Sequence, residues 1–209
     1  MNTFVEIPVT KQALAQRKPV FGIGTNDADY LTQPTIRGKR VKCPFYKTWS
    51  SMMGRCYSDK LHSRQPAYLG CSVTPEWFRF STFKAWMIKQ EWEGRDLDKD
   101  ILNPNNKIYS PDTCVFVTSA INRLILDRAE DRGKYPQGVS HHKVTGKYQA
   151  ELSVDSKTQY LGLHDTPEEA SEVYKIRKSN HIRSVALEQA EPLRSALMKH
   201  ADSLYVSFL

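Results

Sequence analysis

Apolar positions along the chain fall into blocks of different period. Phe45, Trp49, Met52, Met53 and Cys56 recur at helical spacing and predict a helix over 45–56 with one apolar stripe. A polar loop follows. A second helical block opens with Thr74 as N-cap and Pro75 at the first helical position, and its stripe runs through Trp77, Phe80, Phe83 or Lys84, and Trp86 or Met87. Two short strand candidates, Leu97–Ile101 and Thr113–Val117, flank the polar turn 102–107 and lead into a predicted helix Ser119–Ala129. Strand, loop, strand and helix form a compact ββα unit. The charged segment 127–138, ending in Pro and Gly, reads as a linker.

Beyond the linker the period changes to two. Residues 138–143, 147–154 and 158–164 predict three strands. In the middle one, Tyr148, Ala150, Leu152 and Val154 share one face, and Lys147, Gln149, Glu151 and Ser153 the other. Thr166, Pro167 and Glu169 then spell a capping box for a helix whose sheet-facing side is Ala170, Val173, Tyr174 and Arg177. The pattern alone predicts a three-stranded antiparallel sheet backed by one helix. Residues 184–209 read as a further helix interrupted near Pro192. Residues 1–44, rich in Pro, Thr and Gly, lack periodicity and read as an irregular arm.

Charge sharpens this picture because it is localised. The chain of 209 residues carries a net +7. Residues 31–60 hold Arg37, Lys39, Arg40, Lys42, Lys47, Arg55 and Lys60 against Asp59 alone. Such a patch favours a polyanion, most often nucleic acid, over a merely solvated basic face. With 11% aromatic residues a core can be built, so full disorder is excluded. The absence of an 18-residue apolar run or an apolar leader leads us to expect a soluble, cytoplasmic chain without a membrane partner. Cys43, Cys56, Cys71 and Cys114 form no CxxC pair, so buried thiols are expected rather than a structural zinc site.

Two resemblances follow from these residues. Gly138-Val139, Lys147-Tyr148-x-Ala150, Tyr160-Leu161-Gly162, Thr166-x-Glu168-Glu169-Ala170 and Tyr174 resemble the ethylene-response-factor (Apetala-type) DNA-binding domain, also appended to phage endonucleases. That likeness implies double-stranded DNA as partner, docked on the outer face of the sheet through Ser140, His142, Lys147, Gln149, Glu151, Lys157 and Gln159. Few arginines stand there, and arginine forks on guanine are the commonest specific contact. His141 and His142 alternate in direction and are not expected to share a metal.

The segment 97–125 resembles the ββα core of HNH endonucleases, especially small homing-type nucleases of phages. The resemblance implies an α+β fold: a ββα-metal core with a helical framework, followed by the three-stranded sheet. It matches Asp98 to the family's Asp and Asn122 to its helix position, with Asn105 or Asn106 bracing the loop. Lys99 stands where the family has His, and a lysine is a poor general base at neutral pH. Three readings follow. Asp98 and Asp100 hold Mg²⁺ or Mn²⁺ while a metal-bound water attacks and Lys99 neutralises phosphate; or the fold persists with catalysis lost; or 98–100 is a polar strand end. His62 lies in a loop that can approach this site.

The expected layout is a basic arm 1–44 offering Arg37, Lys39, Arg40 and Lys42 to DNA, an HNH-like module 45–130, a DNA-binding domain 134–183 and a helical tail 184–209. The expected activity is metal-dependent DNA cleavage. The alternative is a non-cutting phage factor that binds DNA or a host protein in the bacterial cytoplasm.

Overall fold

A computed structural model describes residues 4–126, 133–154 and 157–205. The chain is α+β and divides by its contacts into two compact units, 1–117 and 118–209.

The first unit is organised by its aromatic residues. Helix α1 (Lys11–Ala15) and the two-residue strands β1 (Thr35–Ile36) and β2 (Lys39–Arg40) precede the long helix α2 (Pro44–Tyr57) and the short α3 (Asp59–His62). Trp49, Met52, Met53 and Cys56 are buried on α2, as its spacing predicts. The arm 1–44 is not an appendage. Ala28, Tyr30 and Cys43 enter the same core, and the Arg17 guanidinium donates to the carbonyls of Asn26, Ala28 and Tyr30. A charged fork satisfying three backbone acceptors gives a segment without periodicity a fixed course.

The predicted second helix is broken. Residues Pro75–Phe78 form a 3-10 turn, Arg79 is extended, and α4 begins afresh over Phe80–Met87. Thr25 causes the break: its N–H donates to the Phe78 carbonyl and its own carbonyl accepts from the Phe80 N–H. On α4, Phe83 and Met87 are buried, with Trp86 partly buried. The Trp49 indole donates to the Trp77 carbonyl at 2.7 Å, joining the two aromatic segments.

Strand β3 (Ser72–Val73) pairs in parallel with β5 (Ile108–Tyr109), while β4 (Asp96–Asp98) pairs antiparallel with β6 (Val115–Val117). The first strand candidate therefore ends at Asp98, and the loop after it contributes a strand to a different partner.

Helix α5 (Ser119–Ile125) opens the second unit, so the strand–strand–helix segment is shared between units. The rest of the helix predicted to 129, and most of the linker, lie outside the described residues. Strands β7 (Val139–His142), β8 (Lys147–Val154) and β9 (Lys157–His164) form a three-stranded antiparallel sheet in the order β7-β8-β9. Ala150 and Leu152 are buried on the face covered by α6 (Pro167–Leu187), beneath Ala170 and Tyr174. The capping box forms: Thr166 Oγ1 accepts from the Glu169 N–H, and the Glu169 carboxylate accepts from the Asp165 N–H. Of the predicted sheet-facing residues, Arg177 is exposed, because the buried row on α6 runs Ala170, Tyr174, Lys178, Ile182 and Ala186. That row continues past the sheet onto α7 (Leu193–Ser203), so neither 183 nor 184 bounds a domain. Among the described residues no helix is long and apolar enough to cross a membrane.

Candidate functional site

Three places gather the chemistry: the end of β4, the β1–β2 hairpin, and the open face of the sheet.

At the end of β4 the peptide turns back on Asp98. Its Oδ1 accepts from the N–H groups of Asp100 and Ile101 at 2.7 and 2.8 Å. Burial raises the Asp98 carboxyl above its ordinary range, against the lowering pull of those two amides. Lys99 is 5% exposed. Its ammonium donates to both oxygens of Asp100, at 2.6 and 2.7 Å, and to the Asn106 carbonyl at 2.7 Å. All three protons of a lysine ammonium are thereby engaged. Asn106, not Asn105, braces the loop: Nδ2 donates to the carbonyls of Lys99 and Ile108, and Oδ1 accepts from the Ile108 N–H.

Holding Mg²⁺ or Mn²⁺ here would require displacing the Lys99 ammonium from Asp100. An ammonium already stands at both Asp100 oxygens, and one Asp98 oxygen is spent on two amides. A hard cation takes about six oxygen ligands, and among the described residues no group of three or more His, Cys, Asp or Glu side chains converges. Asn122 lies on α5 in the second unit, whereas residues 98–100 lie in the first. A ring nitrogen of His62 hydrogen-bonds the Arg55 carbonyl at 2.9 Å, at the end of α2. The four cysteines are buried and free. Burial pushes the Cys56 and Cys114 thiols up to about 12, which keeps both protonated at neutral pH.

The basic hairpin is tight. Arg37 and Gly38 both have positive φ, as a two-residue type I′ turn requires. Arg37, Lys39 and Arg40 are exposed on it. Lys42 follows, lowered from its ordinary range first by burial and then by repulsion from Lys47 and Arg40. Like charges are thus concentrated here, in a stretch without an acid from residue 31 to 58.

The sheet divides the carried-over docking residues. Ser140, His142, Lys147, Gln149 and Glu151 share the open face, since Ser140 pairs with Gln149 and His142 with Lys147. Lys157 and Gln159 do not join them. They pair with Val154 and Leu152, on the face toward α6, and Gln159 Oε1 accepts from the Arg177 guanidinium of that helix. Thr158 and Tyr160, opposite Ser153 and Glu151, stand on the open face instead, with Tyr160 60% exposed. The alternation in β9 is interrupted by a bulge opposite Ala150 and Glu151, which periodicity in one strand does not reveal. Tyr160 as a surface aromatic is the residue that sequence reasoning misses, although its exposed neighbours in β9 carry the signal. Lys147 is partly neutralised by Asp165 at 2.9 Å, and Gln149 donates to Glu151.

Comparisons with protein-family models, with curated proteins and with solved structures find no match to this chain.

Proposed function

We propose that this chain binds double-stranded DNA without cutting it. The observation that carries the reading is the run of exposed cations Arg37, Lys39, Arg40, Lys42 and Lys47 on the hairpin and the start of α2, whose like charges repel one another in a stretch without an acid from residue 31 to 58. Mutual repulsion of this kind costs the free protein stability and is relieved by a polyanion, whose released counterions drive binding. The open face of the sheet supplies a second, flatter contact, with Tyr160 and Gln149 as its reach toward DNA. The end of β4 serves as a structural clamp rather than a reaction centre.

The hairpin is tested by salt titration of DNA affinity. Arg37→Ala with Lys39→Ala and Arg40→Ala removes exposed groups and should leave the fold intact. The slope of log affinity against log salt should fall by about 0.9 for each lost phosphate contact. An unchanged slope would show that these cations do not meet DNA.

The sheet is tested by a pair of neighbours. Tyr160→Ala should weaken duplex binding, whereas Gln159→Ala, one position away and bonded to Arg177, should not. Equal effects in a gel shift at moderate salt would remove the proposed docking face.

The Asn106 brace, set between β4 and β6, favours a second reading, a metal-dependent HNH-like endonuclease using Asp98 and Asp100. Plasmid nicking separates the two. Binding alone leaves supercoiled plasmid intact in Mg²⁺ or Mn²⁺, while the nuclease reading requires nicking that Asp98→Asn with Asp100→Asn abolishes.

A further inference from the structure

We propose that a cleft in the first unit, between the polar side of α2 and residues 92–97, binds a nucleoside phosphate. The cleft has a volume of about 460 Å³, within the usual range for small-molecule sites. One wall is a single stripe of α2, Pro44, Lys47, Thr48, Ser51 and Arg55. Their spacing keeps them on one helical face, opposite the buried Trp49, Met52, Met53 and Cys56. The other wall brings Trp92, Arg95 and Asp96. This site shares Lys47 with the cations proposed for DNA but uses none of the hairpin residues Arg37, Lys39 and Arg40.

The electrostatics favour an anion. Lys47, Arg55 and Arg95 face a single acid, Asp96, whose charge acts on Arg55. Arg55 is a fixed cation, donating to the Leu97 carbonyl at 3.4 Å and lying over the Tyr68 ring. Arg95 pairs with Glu91, whose side chain is 83% exposed. Such surface pairs are weak and readily exchanged for a phosphate. The first turn of α2 adds to this: it has no acid and no side-chain cap, so its positive pole is unneutralised at the Pro44 end of the cleft.

An aromatic platform distinguishes a nucleotide from a bare anion. The Trp92 ring is held by Phe45, with centroids 4.9 Å apart and planes inclined at 59°. A base can stack on an indole held in this way without further ordering of the side chain. Thr48 and Ser51 line the same cleft; the Thr48 hydroxyl donates to the Pro44 carbonyl and keeps its lone pairs, and the Ser51 hydroxyl can meet a ribose or phosphate oxygen. The same chemistry is offered by a free nucleotide and by the 5′-phosphorylated end of a strand.

Calorimetric titration of the full chain with ADP tests the proposal. One equivalent should bind, and adenosine and inorganic phosphate should each bind about tenfold more weakly or less. Lys47→Ala with Arg95→Ala, and separately Ser51→Glu, should weaken ADP by about tenfold or more, since each removes or opposes positive charge. Ser51 is exposed on its helix, so that variant should fold and keeps the test decisive. A 5′-phosphorylated oligonucleotide that binds more tightly than ADP identifies a strand end; the reverse order identifies a free nucleotide. No ADP binding at millimolar concentration, or binding that both variants leave unchanged, would overturn the proposal. The titration contains no duplex DNA, so its result is read independently of the DNA assays.

Discussion

Gly138→Ala is expected to destabilise the second unit by about 3–5 kcal/mol, combining overpacking with backbone strain. A Cβ at this position would stand 2.1 Å from the Tyr174 ring, and the backbone has φ +75°, which alanine resists. The ring cannot simply swing away. Tyr174 is buried on α6 against the sheet, and Gly138 accepts the Glu151 N–H that extends the β7–β8 ladder. The loss is comparable with the whole stability of many small domains. Thermal unfolding followed by circular dichroism should show the second unit melting early or already open. A melting curve matching that of the unaltered chain would mean that the close approach of strand and helix is not needed.

Lys99→Met is expected to cost about 2 kcal/mol. It keeps the apolar stem and deletes the ammonium, so the Asn106 carbonyl loses its charged donor and Asp100 is left unpaired. The figure is held below the value for a fully buried pair because the Asp100 side chain is 52% exposed and can be resolvated. Asp98→Asn should behave oppositely. An asparagine Oδ1 still accepts from the Asp100 and Ile101 amides, and the buried negative charge is gone. Because burial raises the folded Asp98 above its unfolded value, its contribution to stability is fully present below an ordinary aspartate pKa of about 4 and is lost as pH rises through the folded value. Asp98→Asn should therefore remove that decline and leave the chain at least as stable at neutral pH. Denaturant titrations at acidic and neutral pH check both variants. If Lys99→Met left stability untouched, the clamp assigned to this strand end would be wrong and a role for Lys99 toward a ligand would gain ground.

The contrast between these sites explains what could be read from residues alone. Tyr148, Ala150, Leu152 and Val154 alternate because a half-buried strand has a period of two, and the Thr166–Glu169 box caps α6 because its bonds span only three or four positions. The stripe of α2 and the α+β character with a three-stranded sheet follow in the same way, since each rests on patterns a few residues long. The localised charge of the hairpin was likewise visible, because charge is a property of composition.

Tertiary structure alone decided the rest. Arg79 interrupts a helical pattern because Thr25, far away in sequence, offers backbone hydrogen bonds that reward an extended residue. The arm acquires its course from Arg17 and its place in the core from Ala28 and Tyr30, none of which forms a period. The face of Gln159 and Tyr160 depends on the hairpin register that pairs Val154 with Lys157. Lys99, flanked by two aspartates, has the sequence context of a solvated or catalytic cation. It is buried because the loop closed by Asn106 folds over it. Local periodicity determines which residues form an element and which side is apolar; register, long-range hydrogen bonds and loop closure determine what each polar side chain meets, and these are properties of chain segments brought together only by folding.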